Sequence, residues 1–191
     1  MGMPMMVGVG PSMGAAFFCS HWNGASWQTG PGSAITGSSY MATSGDGCAW
    51  DAAQGCAVMP FRAQTGFGLP TTDFLASADG VTWDFRGLPP PRGSHVLVYD
   101  EARGNMVLQG GTDRRDTWLL IDSEWRLSSG VGGIYGSMAS AAFDASRSTV
   151  VEYGGESSAT LNDVFEWDGS AWTAAGNGPH GRWAHSMAAN P

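Results

Sequence analysis

The apolar positions of this chain come in short runs separated by glycine and aspartate, and the runs recur in a fixed order. Between residues 92 and 125 the order is Arg92, His95, an apolar run at 96–99 ending in Tyr99, Asp100, Arg103, a second run at 106–109, Gly110-Gly111, Asp116-Thr117-Trp118 and Trp125. Between residues 143 and 172 it is Phe143-Asp144, Arg147, a run at 150–153, Gly154-Gly155, Asn162-Asp163, Trp167 and Trp172. Runs this short, bounded by turn residues and rich in β-branched and aromatic side chains, predict strands. In the first unit they predict strands at 94–99, 106–109 and 117–121, with a fourth carrying Trp125.

Weaker copies extend the pattern. Trp50-Asp51 stands for the aromatic-Asp pair of a third unit, with Gln54 at the arginine position, an apolar run at 56–59 and Phe61-Arg62 in place of Gly-Gly. Asp73-Phe74-Leu75 and Trp83 close that unit. At the start of the chain, the segment from His21 through Trp22 to Trp27 matches that from Glu166 through Trp167 to Trp172, and Arg182, Trp183 and His185 near the end echo Arg92 and His95. The closing tryptophans fall at 27, 83, 125 and 172. A period of roughly forty to fifty residues is the spacing of four-stranded propeller blades.

Each landmark has a physical role. An aspartate at a strand end bonds nearby amides, and an arginine three residues on pairs with it or caps a carbonyl. A Gly-Gly pair lets the backbone leave the sheet in a conformation a β-carbon resists. The closing tryptophan is expected to pack between neighbouring sheets. The units divide one domain over 1–191 into 5–30 plus 182–190, 38–87, 92–128 and 135–176.

Composition narrows the function classes. Nine Trp and eight Phe supply large apolar surfaces, and 29 Gly and ten Pro imply many turns. The net charge is −8, with no lysine and no basic cluster larger than Arg114-Arg115, so a nucleic-acid footprint is not expected. No apolar run is long enough to span a membrane, and the first residues lack the basic and apolar regions of a signal peptide. A soluble chain of unassigned compartment is expected. Its three cysteines argue against a disulfide scaffold. Cys48 and Cys56 flank a predicted hairpin turn at 51–55, and either face each other across two strands or are two buried thiols.

Together the aromatic-Asp-x-x-Arg motif, the di-glycine and the spaced aromatics resemble the kelch repeat family, over nearly the whole chain. The residues that carry the motif are Tyr99, Asp100, Arg103, Gly110, Gly111 and Trp125, then Phe143, Asp144, Arg147, Gly154, Gly155 and Trp172. The unit at 143–172 departs from it in having Gly136 and Ala139 where the first has Arg92 and His95. The resemblance implies an all-β propeller of four-stranded antiparallel blades. About four blades are present, and Asn190 falls in phase to place a C-terminal strand beside residues 5–9. That join is expected within one chain, closing a ring. The alternatives are a blade-sharing homodimer and a piece of a larger propeller.

The candidate ligand contacts are Arg92, His95, Arg182, Trp183 and His185, all at or near the starts of expected innermost strands. Arginine suits a carboxylate or phosphate, histidine a proton or metal, and an exposed tryptophan a sugar ring or a partner protein. The competing expectation is that these residues repeat because the blade repeats. Gly136-Ser137-Met138-Ala139 lacks the second glycine of a nucleophile elbow, Cys19 and His21 share one strand face, and no copper-radical motif is present. No cofactor is predicted. Calcium enters only if carboxylates such as Asp100, Asp116, Asp144 and Asp163 converge. A binding or scaffolding role toward a protein or glycan is the expected function. An enzyme acting on a carbohydrate or lactone is the alternative.

Overall fold

The structure, a computed structural model, describes residues 5–9, 17–22, 25–29, 39–41, 48–64, 71–78, 84–86, 89–90, 92–112, 114–129 and 132–189. Among them every regular element is a strand, and all pairings between strands are antiparallel. No helix among the described residues is long and apolar enough to cross a membrane.

Sheet I has three strands in the order β1 (Met5–Val9), β2 (Phe17–Trp22) and β3 (Trp27–Thr29). Sheet II contains β4 (Ser39–Met41), β5 (Ala49–Asp51), β6 (Cys56–Gln64), β7 (Thr71–Ser77) and β8 (Asp84–Phe85). Sheet III runs β9 (Val96–Asp100), β10 (Asn105–Gln109), β11 (Thr117–Ile121) and β12 (Glu124–Ser129). Sheet IV runs β13 (Ser140–Asp144), β14 (Thr149–Tyr153), β15 (Asp163–Trp167) and β16 (Trp172–Asn177). The matched tryptophan segments fold alike, with Trp22 opposite Trp27 and Trp167 opposite Trp172.

Sheet III is apolar on both faces, because alternate residues of a strand point opposite ways. Met106, Leu108 and Leu120 pack with Cys56 and Val58 of sheet II, and Trp125 joins that cluster. Val107 packs with Phe143, Val150 and Trp167 of sheet IV, and Trp172 joins that one. In sheets III and IV the closing tryptophan thus packs toward the sheet before it. Trp83 lies outside the described residues.

The turn after the first strand is built the same way in three sheets. Asp100 Oδ1 accepts from the amides of Ala102 and Arg103 at 3.1 and 3.2 Å, and Arg103 Nη1 donates to Oδ2 at 2.8 Å. Asp144 takes the amides of Ser146 and Arg147 and the Arg147 side chain, and the Ser146 hydroxyl and Arg147 bring its carboxyl down to about 2. Asp51 takes the amides of Ala53 and Gln54, and the Gln54 amide fills the arginine's place at 3.1 Å. The last turn residue is left-handed in all three: Gly55, Gly104 and Ser148, with φ of 65, 67 and 55°.

These turns also join the sheets. Arg103 donates to the carbonyl of Ser148 at 2.9 Å and to that of Asp168 in the β15–β16 turn. Gln54 accepts from Ser123 in the β11–β12 turn at 3.0 Å. The Ala53 amide also donates to the Tyr99 hydroxyl at 3.0 Å.

Where the di-glycine is present, the second strand ends on it. Gly110, Gly111, Gly154 and Gly155 all have positive φ, and a β-carbon on Gly111 would meet the Gly93 carbonyl oxygen at 2.7 Å. Where Phe61-Arg62 replaces it, β6 runs on to Gln64. Its long edge then takes two short strands, β5 near Cys56 and β4 near Gln64.

Of two expectations, one holds in part and one is corrected. Cys48 and Cys56 are both free thiols, the first exposed and the second buried. Cys56 stands opposite Asp51 while Cys48 precedes Ala49, opposite Val58, so register keeps them apart. No strand forms over the described part of 182–190. The backbone of Arg182, Ala184 and Met187 bonds instead to the loops and first strand of sheet IV.

A buried polar chain crosses the III–IV interface. Trp172 Nε1 donates to Thr117 Oγ1 at 2.9 Å, which donates to Gln109 Oε1 at 2.7 Å, while Gln109 Nε2 reaches the Gly132 carbonyl. Glu152 is 2 % exposed and accepts from the Ile134 amide at 2.9 Å. Burial pushes its carboxyl up to about 8, against smaller opposing effects of the Ile134 amide and Arg115.

Two stability predictions follow from this arrangement. Ser148→Gly relieves a left-handed non-glycine and is expected to raise stability by about 0.5–1 kcal/mol, while Gly111→Ala lowers it by at least ~2 kcal/mol, in urea melts. Glu152 holds its proton in the fold but loses it in the unfolded chain above pH 4.5, so its contribution is greatest below that pH and is lost as pH rises toward 8. Wild-type stability should therefore fall relative to Glu152→Gln by about 1.4 kcal/mol per pH unit across that window. Parallel pH profiles for the two proteins would contradict this.

Candidate functional site

A cavity of about 690 Å³ opens where the starts of β9 and β13 meet the C-terminal segment. His95, Ala139 and His185, which occupy one position in three successive units, all line it. So do Val96, Leu97, Met138, Met187 and Trp183.

The strand starts are held in step by their backbones. Ser94, Met138 and Ala184 occupy the position just before, and all three are left-handed, with φ of 56, 59 and 50°. The Met138 amide donates to the Ser94 carbonyl at 3.1 Å, and the Ala184 amide donates to the Met138 carbonyl at 3.0 Å. Equivalent residues are thus linked in a staircase from sheet III through sheet IV to the C-terminal segment. A second repeated bond fixes each entry: Thr112 to the Gly93 carbonyl at 3.0 Å, and Glu156 to the Ser137 carbonyl at 2.9 Å.

The five candidate residues fall into two groups. Arg92 is 4 % exposed, and its guanidinium is turned inward. It binds both oxygens of Asp116, at 3.0 and 2.8 Å, and the Gly110 carbonyl at 3.1 Å. Burial works against the Asp116 charge, but hydrogen bonds from Arg92 and Trp118 outweigh it and hold the carboxyl below its ordinary value. Arg92 therefore ties the di-glycine exit of sheet III to its third strand. His95 is 3 % exposed at the cavity wall. Trp183 is 48 % exposed and is the large aromatic presented to solvent at this cavity.

His185 and Arg182 are arranged around Tyr153. The Tyr153 hydroxyl donates to the His180 carbonyl, its ring meets His185 edge-on at 5.3 Å, and Arg182 lies 5.7 Å from its centroid. Gly154 makes this packing possible, since a β-carbon there would meet the Arg182 carbonyl oxygen at 2.5 Å. Burial, and then the nearby Arg182 charge, push the His185 imidazole below its ordinary pKa. At neutral pH it is an uncharged ring in the cavity wall.

No protein-family model matches this chain, and no curated protein matches it in sequence. Function must therefore be argued from the site. Among the described residues no three His, Cys, Asp or Glu side chains are grouped to hold a metal ion. Asp100 and Asp144 are occupied by their own turns, and Asp116 by Arg92. Met138 and Met187 carry no motif that marks them as cavity residues. Only the equivalence of Met138 to Ser94 and Ala184 would have placed it there. Cys19 and His21 lie together on β2, whose side chains are outside the description.

Removing the neighbouring charge tests the electrostatics directly. Arg182→Ala should raise the His185 pKa toward, but not up to, that of an exposed histidine, read from its ring proton shifts by NMR titration. An unchanged or lower midpoint would show that Arg182 does not act on this ring.

Proposed function

We propose that this chain is a kelch-type β-propeller module that binds an apolar segment of a partner protein in the 690 Å³ cavity, around Trp183. The observation that carries this is the cavity wall. Val96, Leu97, Met138, Ala139, Ala141 and Met187 give it an aliphatic and thioether surface beside one exposed indole, with His95, His185, Ser140 and Ser186 as polar members. Methionine adapts its shape to varied apolar partners, and an exposed aromatic is a common binding anchor.

The propeller assignment is supported by the repeated turn, the two complete four-stranded sheets and the staircase of equivalent residues about the cavity.

The test is selection from a phage-displayed library of random dodecapeptides. Wild type should enrich a consensus containing a large apolar residue. Trp183→Ala should lose that enrichment, while Arg126→Ala, on β12, should keep it. Absence of a consensus, or a consensus that survives Trp183→Ala, refutes the proposal. Enrichment limited to immobilised glycans would place the ligand in the other class and refute it equally.

A further inference from the structure

A second cavity lies beside the entry to sheet IV, and its chemistry differs from that of the first. It measures about 290 Å³ and is lined by Thr112, by Tyr135 to Ser137 in the III–IV connection, and by Glu156 to Ser158 after the di-glycine of sheet IV. Tyr135 is 49 % exposed, so its ring is an open platform. Arg115 lies 6.0 Å over that ring and is itself held by the Gly133 carbonyl at 3.1 Å. A held cation therefore stands over this ring at cation–π distance.

The rest of the lining carries one acidic and several hydroxyl residues. Among the described residues no hydrogen bond is made to the Glu156 carboxylate, and Ser137, Ser157 and Ser158 line the same cavity. The wall is preorganised by its backbone. Ser137 and Glu156 exchange two amide bonds at 2.8 and 2.9 Å, and Leu161 donates to the Gly155 carbonyl at 2.8 Å. Gly136 permits this approach, because a β-carbon there would meet the Glu156 carbonyl oxygen at 2.6 Å.

An exposed aromatic ring that shares a cavity with a carboxylate and several serines suits a sugar ring. A pyranose with equatorial hydroxyls has axial C–H bonds that stack on an aromatic ring, and adjacent O–H groups that donate to a carboxylate. The free carboxylate and the net charge of −8 oppose a phosphorylated or acidic sugar. The volume suits a single ring. We infer that the cavity between Tyr135 and Glu156 is a binding site for a neutral pyranose ring. It is separate from the cavity around Trp183, and neither assignment depends on the other.

The test is saturation-transfer NMR on the whole chain with methyl β-D-glucopyranoside, using glucose 6-phosphate as the charged comparison. Saturation should reach the axial ring protons of the neutral probe and be much weaker on the charged one. Tyr135→Ala should weaken binding about tenfold and Glu156→Gln several-fold, with Tyr135→Phe restoring it and Trp183→Ala leaving it unchanged. No transfer to the neutral probe, equal binding of the phosphate, insensitivity to Tyr135→Ala, or dependence on Trp183 would each overturn the inference. Loss of the peptide consensus with sugar binding intact would count only against the first cavity.

Discussion

The structure depends on the double-sided burial of sheet III. With Met106 and Leu108 on one face and Val107 on the other, this sheet cannot rest on a single layer. It must be covered on both sides, and sheets II and IV cover it with equivalent strands. The hydrophobic clusters supply the driving force but no geometry, because apolar contact is non-directional. The angle and height at which one sheet meets the next must come from polar contacts at the ends of the strands.

Those contacts lie at both ends. At one end, the aspartate turn sends a side chain from one sheet to the third-to-fourth-strand turn of the next, as Arg103 does to Asp168 and Gln54 to Ser123. At the other, backbone bonds link Ser94 to Met138 and Met138 to Ala184. A sheet held at both ends is fixed in orientation relative to its neighbour. The cavity wall inherits that precision, since its residues follow directly after the linked positions. Tyr153 and Gly154 then carry the arrangement into the C-terminal segment, where no ladder of strand bonds is available to do so.

What could be read from the sequence was local. The aspartate turn was legible because its bonds span two and three residues, so spacing alone predicts them, and the same holds for the left-handed di-glycines. The run-on of β6 was only half legible: Phe61-Arg62 showed that the exit was missing, but not that the free edge would take two short strands. Spacing did not place Arg92 inward, because Asp116 approaches it through folding. Glu152 was invisible for a similar reason. Its environment comes from Ile134 and the III–IV interface, and a glutamate within an apolar run gives no hint of which face it takes. Of the cavity lining, His95, Trp183 and His185 were legible, while the valine, alanine and methionine between them were not, since no chemical motif requires them.

Gln54 in the arginine's place carries one more consequence. An uncharged amide makes the same reach to the aspartate as the guanidinium does, so the turn is specified by the acceptor and not by the cation. Selection is then free to vary the electrostatic character of that rim from one unit to the next while the architecture stays put. A chain built on these terms can drift far in composition, keeping a handful of dispersed anchors, and lose detectable kinship long before it loses its shape.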